Sequence, residues 1–476
     1  MRVLFVTSEC VPFFKKGGLG DVSYALPVAL SKIGVRIAVV MPYFEKMHAK
    51  QVKCIGQLAV DYDRRRELVF IFETEIPGSH VPVYLFRHPH LDTYGGHDIA
   101  DTFAFFSKAV AELYTASPHV MGGTYDILHC NDWHTALVPM LLGERRKIDG
   151  HIGETFQSQG AKTVLSIHNL LYQGETGVSA VLRLGLPRTL FHVFKTPLGH
   201  AVKLLREGLE YADVISTVSP TYAREIVRGA HGDSVKAVLA SRRDRLVGIL
   251  NGIDNGIWNP ATDAFLPTNY TRASVGPAKK EIKLYLQRSL KLPERDILVF
   301  GFVGRLEERQ KGIDLIVRAI ERLGNSDFQL IILGTGAARQ VKLLERLAKK
   351  HSNIAFVHTF DERLARRIYA GADVMLVPSR FEPCGLTQMI AMRYGTLPLV
   401  RKTGGLADTV TDGKTGFVFG PYKASALAEK MREALTIWMT KPKVWQKMTD
   451  HVMRQDFSWE KSARAYRDLY RKLLAA

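Results

Sequence analysis

A chain of 476 residues is too long for one hydrophobic core, and 46% hydrophobic with 24% charged residues excludes a disordered or fibrous protein. The formal net charge of +18 suggests an anionic partner, yet the cations are spread along the chain rather than gathered in tails. That pattern favours a basic solvated surface over nucleic-acid binding, for which net charge is the sole support. Cys10, Cys54, Cys130 and Cys384 show no Cys-x-x-Cys spacing and read as reduced thiols. No apolar run approaches the ~20 residues of a membrane helix, and the N-terminus is strand-like rather than a signal peptide. The expectation is a cytoplasmic protein without membrane contact.

In chain order, the apolar run Val3 to Thr7 reads as a strand and Val22 to Leu30 as a helix. Between them lies Lys15-Lys16-Gly17-Gly18-Leu19-Gly20-Asp21. Glycines there allow a tight turn and close backbone approach, and the N–H groups opening the helix suit a phosphate. Short runs at 35–40, 83–86, 127–130, 163–167 and 214–218 alternate with helical patterns, as buried parallel strands do in an α/β layer fold. His88, His90 and His97 near a glycine loop lack metal-ligand spacing. Prolines and glycines across 259–295 mark a change of domain, with one helix around Lys279–Ser289. A second alternating series follows, with strands at 297–303, 329–333, 354–357, 374–377, 397–400 and 417–419. Helices are expected at 312–323, 338–350 and 362–369. In the last segment Trp459, Ala463, Tyr466, Tyr470 and Leu473 recur at alternating four and three residues, an amphipathic helix packed on a domain.

Ligands of doubly wound sheets bind beyond the carboxyl ends of strands, where polar clusters fall in this chain. They are His129-Cys130-Asn131-Asp132-Trp133-His134, the run from Ser166 through His168 to Tyr172-Gln173-Gly174, and Asn251-Gly252-Ile253-Asp254 leading to Trp258-Asn259-Pro260. In the second half stand Arg305 with Lys311, Gly334-Thr335-Gly336, and Ser379-Arg380-Phe381-Glu382-Pro383-Cys384-Gly385-Leu386-Thr387. A second glycine turn, Lys402-Thr403-Gly404-Gly405-Leu406-Ala407-Asp408, repeats the pattern Lys-x-Gly-Gly-Leu-x-Asp of the first.

In these strings, over essentially its whole length, the chain resembles the bacterial glycogen synthase and plant starch synthase family. The resemblance implies a GT-B fold, in which two Rossmann-like doubly wound parallel-sheet domains face each other across a deep cleft. The first is expected at 1–258, completed by the C-terminal helix 458–476, and serves the glucan acceptor. The second, 259–457, holds the nucleotide sugar. The implied activity is transfer of glucose from ADP-glucose to the non-reducing 4-hydroxyl of an α-1,4-glucan with retention of configuration, with no cofactor and no metal. Glu382, His168, Arg305, Lys311, Asp21 and Asn251 match the family's catalytic positions, Arg305 and Lys311 holding the diphosphate. Lys15, Gly17, Gly18, Gly334, Gly336, Phe360, Cys384, Gly385, Leu386, Thr387, Thr403, Gly404 and Gly405 match its nucleotide-sugar side. Asp132, Trp133, His134, Tyr172 and Gln173 are placed on the acceptor. Retention without a firm nucleophile fits a front-side displacement, and a short-lived covalent intermediate stays open.

Three positions depart from the family pattern. One extra residue separates Arg305 from Lys311, Phe360 stands where some relatives carry Tyr, and Lys16 replaces a common Thr. Competing readings are a UDP-glucose enzyme, a glucan-binding protein without catalysis and a nicotinamide-dependent dehydrogenase. The last is disfavoured because no Gly-x-Gly-x-x-Gly turn precedes a suitably spaced acid.

Overall fold

Near-continuous apolar runs form strands covered on both faces: Val3, Leu4, Phe5 and Val6 are all fully buried. The computed structural model describes residues 1–47, 49–94, 98–149, 160–197, 199–228, 233–324 and 326–476; His97 lies outside them. It divides into two units, one of Met1–Val218, Ala223–Asn251 and Trp459–Ala476, the other of Ser219–Tyr222 and Gly252–Ser458.

The first unit contains β1 (Arg2–Val6), β2 (Arg36–Pro42), β3 (Lys53–Tyr62), β4 (Arg65–Glu75), β5 (Pro82–Arg87), β6 (Ile127–Asn131) and β7 (Lys162–Ile167). After them come β8 (Glu175–Gly177), β9 (Phe194–Thr196), β10 (Gly199–Lys203), β11 (Val214–Thr217) and β12 (Leu246–Gly248). Nine of these make one sheet in the order β12-β11-β7-β6-β1-β2-β5-β4-β3, while β8-β10-β9 form a small separate sheet. The strands from β12 to β5 run parallel, but β4 and β3 extend that edge antiparallel. The antiparallel pair β3 and β4 is additional to the parallel strands read from the sequence. The β3–β4 hairpin turns at Asp63 and Arg64, both with positive φ (51° and 61°). Two-residue turns of this kind normally announce themselves with Asn-Gly or Asp-Gly, a signal absent here.

The closing helix, Trp459–Ala475, lies in the first unit's core. Trp459, Ala463, Tyr466, Tyr470 and Leu473 share a cluster with Val22, Leu26 and Leu30 of the first helix (Gly18–Lys32) and with Val3 and Phe5 of β1. A polar stitch crosses this core. His129 on β6 is fully buried, with Nδ1 2.6 Å from the Tyr470 hydroxyl and Nε2 2.6 Å from Ser166 Oγ on β7. Both ring nitrogens therefore have partners, as a buried imidazole requires.

The second unit is one parallel sheet. Its strands are β13 (Leu298–Val303), β14 (Phe328–Leu333), β15 (Ile354–Val357), β16 (Val374–Val377), β17 (Leu397–Arg401) and β18 (Phe417–Phe419), in the order β15-β14-β13-β16-β17-β18. The order reverses between β13 and β16, the position at which doubly wound sheets bind ligands. The chain changes unit after Asn251 rather than after 258, because 252–258 is bonded into the second unit. Ile253 N–H donates to Phe457 C=O (2.7 Å), and Arg366 donates to Ile257 C=O (2.6 Å) while lying 4.5 Å over the Trp258 ring. Arg366 also meets the buried carboxylate of Asp263 at 3.3 Å, so the Trp-Asn-Pro string anchors a linker. Among the described residues, no helix is long and apolar enough to cross a membrane.

Candidate active site

In the second unit the loops following β13, β16 and β17 lock together through backbone. Arg380 N–H donates to Gln310 C=O (2.7 Å), and Gly405 N–H donates to the Glu382 and Pro383 carbonyls (3.1 and 3.2 Å). The glycines make this contact possible. A Cβ on Gly404 would lie 1.9 Å from the Glu382 carbonyl oxygen, one on Gly405 2.0 Å from that of Cys384, and one on Gly312 2.4 Å from that of Pro378. Arg401 on β17 braces the same loop, its guanidinium donating to the Ser379 carbonyl at 2.9 Å.

These constraints place Glu382 and Lys311 together. Lys311 Nζ and Ser379 Oγ both reach Glu382 Oε2, at 2.7 and 2.8 Å, and the carboxylate is buried. The extra residue after Arg305 does not draw Lys311 away from this site. Arg305 stands apart, 63% exposed and paired with Glu307 at 2.8 Å. Gly334 and Gly336 are required by a neighbouring loop: their Cβ atoms would fall 2.1 Å from the Gly304 carbonyl oxygen and 2.5 Å from that of Leu306. Phe360, beyond the end of β15, is 88% exposed. The helix Thr387–Arg393 follows Cys384, Gly385 and Leu386, and the first N–H groups of a helix lack intrahelical acceptors. The Gly405 N–H is bonded inside the protein, so that donor of the second Gly-Gly turn positions the Glu382 loop.

In the first unit the repeated turn is organised by a residue the motifs did not reveal. Glu9 is buried, and its Oε2 accepts the N–H groups of Lys16 and Gly17 at 2.5 and 2.8 Å. A carboxylate of the protein itself therefore occupies the anion position expected for a ligand phosphate. Burial is the largest influence on Glu9 and raises its pKa; those two N–H groups oppose this, and the charges of Asp132 and Asp21 add to it. The only sequence signal was an acid six residues before a Lys-Lys-Gly-Gly string. Lys15 Nζ meets both Asp21 oxygens at 2.7 Å. Gly18 opens the first helix with free space where its Cβ would be, so packing does not dictate glycine there.

After β6, Asp132 has φ 55° and ψ −173°, a conformation that costs a non-glycine residue about 1–3 kcal/mol. Its Oδ1 accepts the His168 N–H at 2.7 Å, coupling the loops after β6 and β7. His168 Nε2 lies 2.9 Å from Asn131 Oδ1, whose amide nitrogen donates to Val6 C=O. That orientation assigns the proton to Nε2. Trp133 belongs to the core: it is buried, stacked on His134 at 3.9 Å, and pressed against Gly174, whose Cβ would lie 2.4 Å from its ring. His134 Nε2 is 3.0 Å from the Tyr94 hydroxyl, and its Nδ1 has no partner among the described residues. Tyr172 is about half exposed, and Gln173 donates to the Leu170 carbonyl at 3.2 Å. Asn251 is buried with its Oδ1 unpaired among the described residues. His88 and His90 stack on each other beside Phe105, and His88 meets Glu67 at 3.2 Å. They form an aromatic cluster.

Residues 2–241 match the family model of the starch synthase catalytic domain, and 286–450 match glycosyl transferases group 1. Over its whole length the chain is 41% identical to a glycogen synthase of Anaeromyxobacter sp., covering 100% of that protein, and 40% identical to one of Kosmotoga olearia, covering 98%. The chain belongs to the glycogen and starch synthase family. It is a glycosyltransferase with the GT-B fold. The catalytic domain of starch synthase IV from Arabidopsis thaliana, solved bound to ADP and acarbose, matches with a TM-score of 0.86 and 30% identity, over 100% of this chain and 99% of that one. Sucrose-phosphate synthase from Thermosynechococcus elongatus, at a TM-score of 0.61 and 19% identity over 100% and 99% of the two chains, shares the fold.

Two outcomes follow for this synthase-family chain. Burial lowers His129 and His134 to about 3 and His168 to about 4, from an ordinary value near 6.5. Between about pH 6.5 and 4 the unfolded chain binds more protons at these sites, so their contribution to stability is lost as pH falls. Asp132, raised to about 7 by burial, acts oppositely, gaining stability as pH falls through the same range. With three histidines against it, the urea midpoint of the first unit should drop from pH 7 to pH 4.5; a rise would contradict this account. Replacing Glu9 by Gln should speed amide exchange at Lys16 and Gly17 about tenfold or more, since bonds to a charged acceptor contribute about 1.5–3 kcal/mol. Unchanged exchange would mean the carboxylate does not hold the turn.

Proposed function

We propose that this protein is a glucan synthase transferring glucose from ADP-glucose to the non-reducing 4-hydroxyl of an α-1,4-glucan, with retention. The observation carrying this reading is the buried Glu382–Lys311 pair, fixed by the glycine-locked loops at the switch point of the second sheet. A relative bound to ADP and acarbose supports a nucleoside diphosphate and a glucan as ligands.

In this reaction the bond from glucose C1 to the diphosphate oxygen breaks, and a bond from C1 to the acceptor O4 forms on the same face. The acceptor proton passes to the departing diphosphate, which leaves as ADP. Lys311 and Arg305 stabilise the negative charge on that group. Glu382 accepts hydrogen bonds from the glucose hydroxyls and stabilises positive charge developing at C1. Phe360 stacks on the nucleotide base, and the Cys384–Thr387 segment offers N–H groups to the sugar and phosphates. In the first unit Lys15 and Asp21 exchange their mutual ion pair for the nucleotide sugar and glucose. His168, held by Asp132 and Asn131, contacts the transferred glucose, and Asn251 uses its unpaired oxygen there. Tyr172 and Gln173 contact the glucan, whereas Trp133 supports their loop from the core.

The test is incubation of purified protein with glycogen and either ADP-glucose or UDP-glucose, measuring diphosphate release and chain extension. Extension is expected with ADP-glucose in preference; none with either donor would refute the proposal. Glu382→Gln should lower the rate by about 100- to 1000-fold in a folded protein. Near-normal turnover would remove Glu382 from its role.

A further inference from the structure

At the edge of the first unit's sheet opposite the Glu9 turn, where β1, β2 and β5 begin, a cavity of about 570 Å³ opens. Arg2, Arg36, His80, Ser31, Tyr84 and Tyr125 stand in its lining, and none of its lining residues is acidic. Arg2 is a fixed cation. Its guanidinium donates to the Gly122 carbonyl at 2.7 Å and lies 4.9 Å from the Tyr125 ring centre. Gly122 and Gly123, both with positive φ (73° and 109°), leave it room, since a Cβ on Gly123 would lie 2.9 Å from Arg2 Nη1.

Arg36 and His80 differ from Arg2 in being exposed side chains with no hydrogen-bond or ion-pair partner among the described residues. Of the acids outside the lining, Asp126 is already engaged by the Arg2 N–H at 2.6 Å and by the terminal ammonium at 3.7 Å, and Glu73 stands on β4 opposite Tyr84, on whose hydroxyl its charge acts. Nor do the carbonyls ending the first helix oppose an anion, because Leu30 and Ser31 accept N–H groups from Ile33, Gly34 and Val35. Two guanidinium groups and an imidazole thus face a space without a carboxylate. Its volume lies within the range of small-molecule sites, about 300–1000 Å³, and exceeds the needs of inorganic phosphate.

We propose that this cavity binds a small phosphomonoester of about hexose size. Arg36 forks onto the phosphate oxygens with His80 beside it, and Ser31 and Tyr84 meet the hydroxyls of the sugar. The site is separate from the transfer chemistry, at the other end of β1.

Calorimetric titration of the intact protein tests it, with fructose 6-phosphate, inorganic phosphate and fructose as probes. Fructose 6-phosphate should bind at least about tenfold more tightly than inorganic phosphate, and fructose should give no heat. Arg36→Ala and His80→Ala, both at exposed positions, should each weaken binding at least about tenfold while leaving glucosyl transfer unchanged. Lys311→Ala should leave this binding intact. The proposal is overturned if no binding occurs, if inorganic phosphate binds equally well, or if binding survives the Arg36→Ala/His80→Ala double variant. Loss of binding in Lys311→Ala would equally overturn it by moving the site to the second unit.

Discussion

The second unit turns on a contact with no room for a side chain. Gly404 and Gly405 approach the carbonyls of Glu382 and Cys384 so closely that a methyl group would overlap their oxygens. Gly312 meets Pro378 in the same way. Hard-core repulsion at such distances is far steeper than any hydrogen bond can offset, so these positions decide where the loops after β13, β16 and β17 stand. Lys311 and Glu382 occupy two of those loops, and their 2.7 Å ion pair is a consequence of the backbone fit. A buried ion pair has value when its geometry is held and its remaining valences are met. Ser379, bonded to the same carboxylate oxygen, helps to meet them.

The two Lys-x-Gly-Gly-Leu-x-Asp strings show how one sequence pattern serves different physics. In the second copy the glycines admit a neighbouring loop, and Asp408 accepts from the N–H and hydroxyl of Thr221. In the first copy the N–H groups close on Glu9, and Asp21 pairs with Lys15. An internal carboxylate at the turn explains why two N–H groups can point inward without a ligand. Lys16 adds a cation 6.0 Å over the Tyr94 ring, a weak contact at that distance.

Much of the fold was legible because buried parallel strands are short, apolar and punctuated. The strands at 354–357, 374–377 and 417–419 and the helix at 338–350 fall where the pattern put them. The aromatic face of the closing helix is the face in the core. The β3–β4 hairpin escaped because its turn uses Asp63 and Arg64, which carry no glycine signal. The helix following the first turn starts at Gly18, four residues earlier than its apolar period indicated, since glycine contributes nothing to periodicity. Motif order singled out Glu382 and Lys311, which the fold pairs at 2.7 Å, and only tertiary contact could reveal Glu9, an acid whose partners are backbone N–H groups. The strained backbone of Asp132 and its bond to the His168 N–H were likewise invisible, for a long-range contact leaves no local pattern.

Gly405 offers the most direct test of the claim that backbone fit sets the chemistry, because its φ is not in the left-handed region and the Cys384 carbonyl is the nearest obstacle to a side chain. The measurement is the rate of glucosyl transfer by Gly405→Ala, alongside its urea unfolding curve. The account predicts a folded protein whose transfer rate falls by about 100-fold or more, as displacement of a reacting group by about 1 Å can cause. Transfer at a near-normal rate would contradict it.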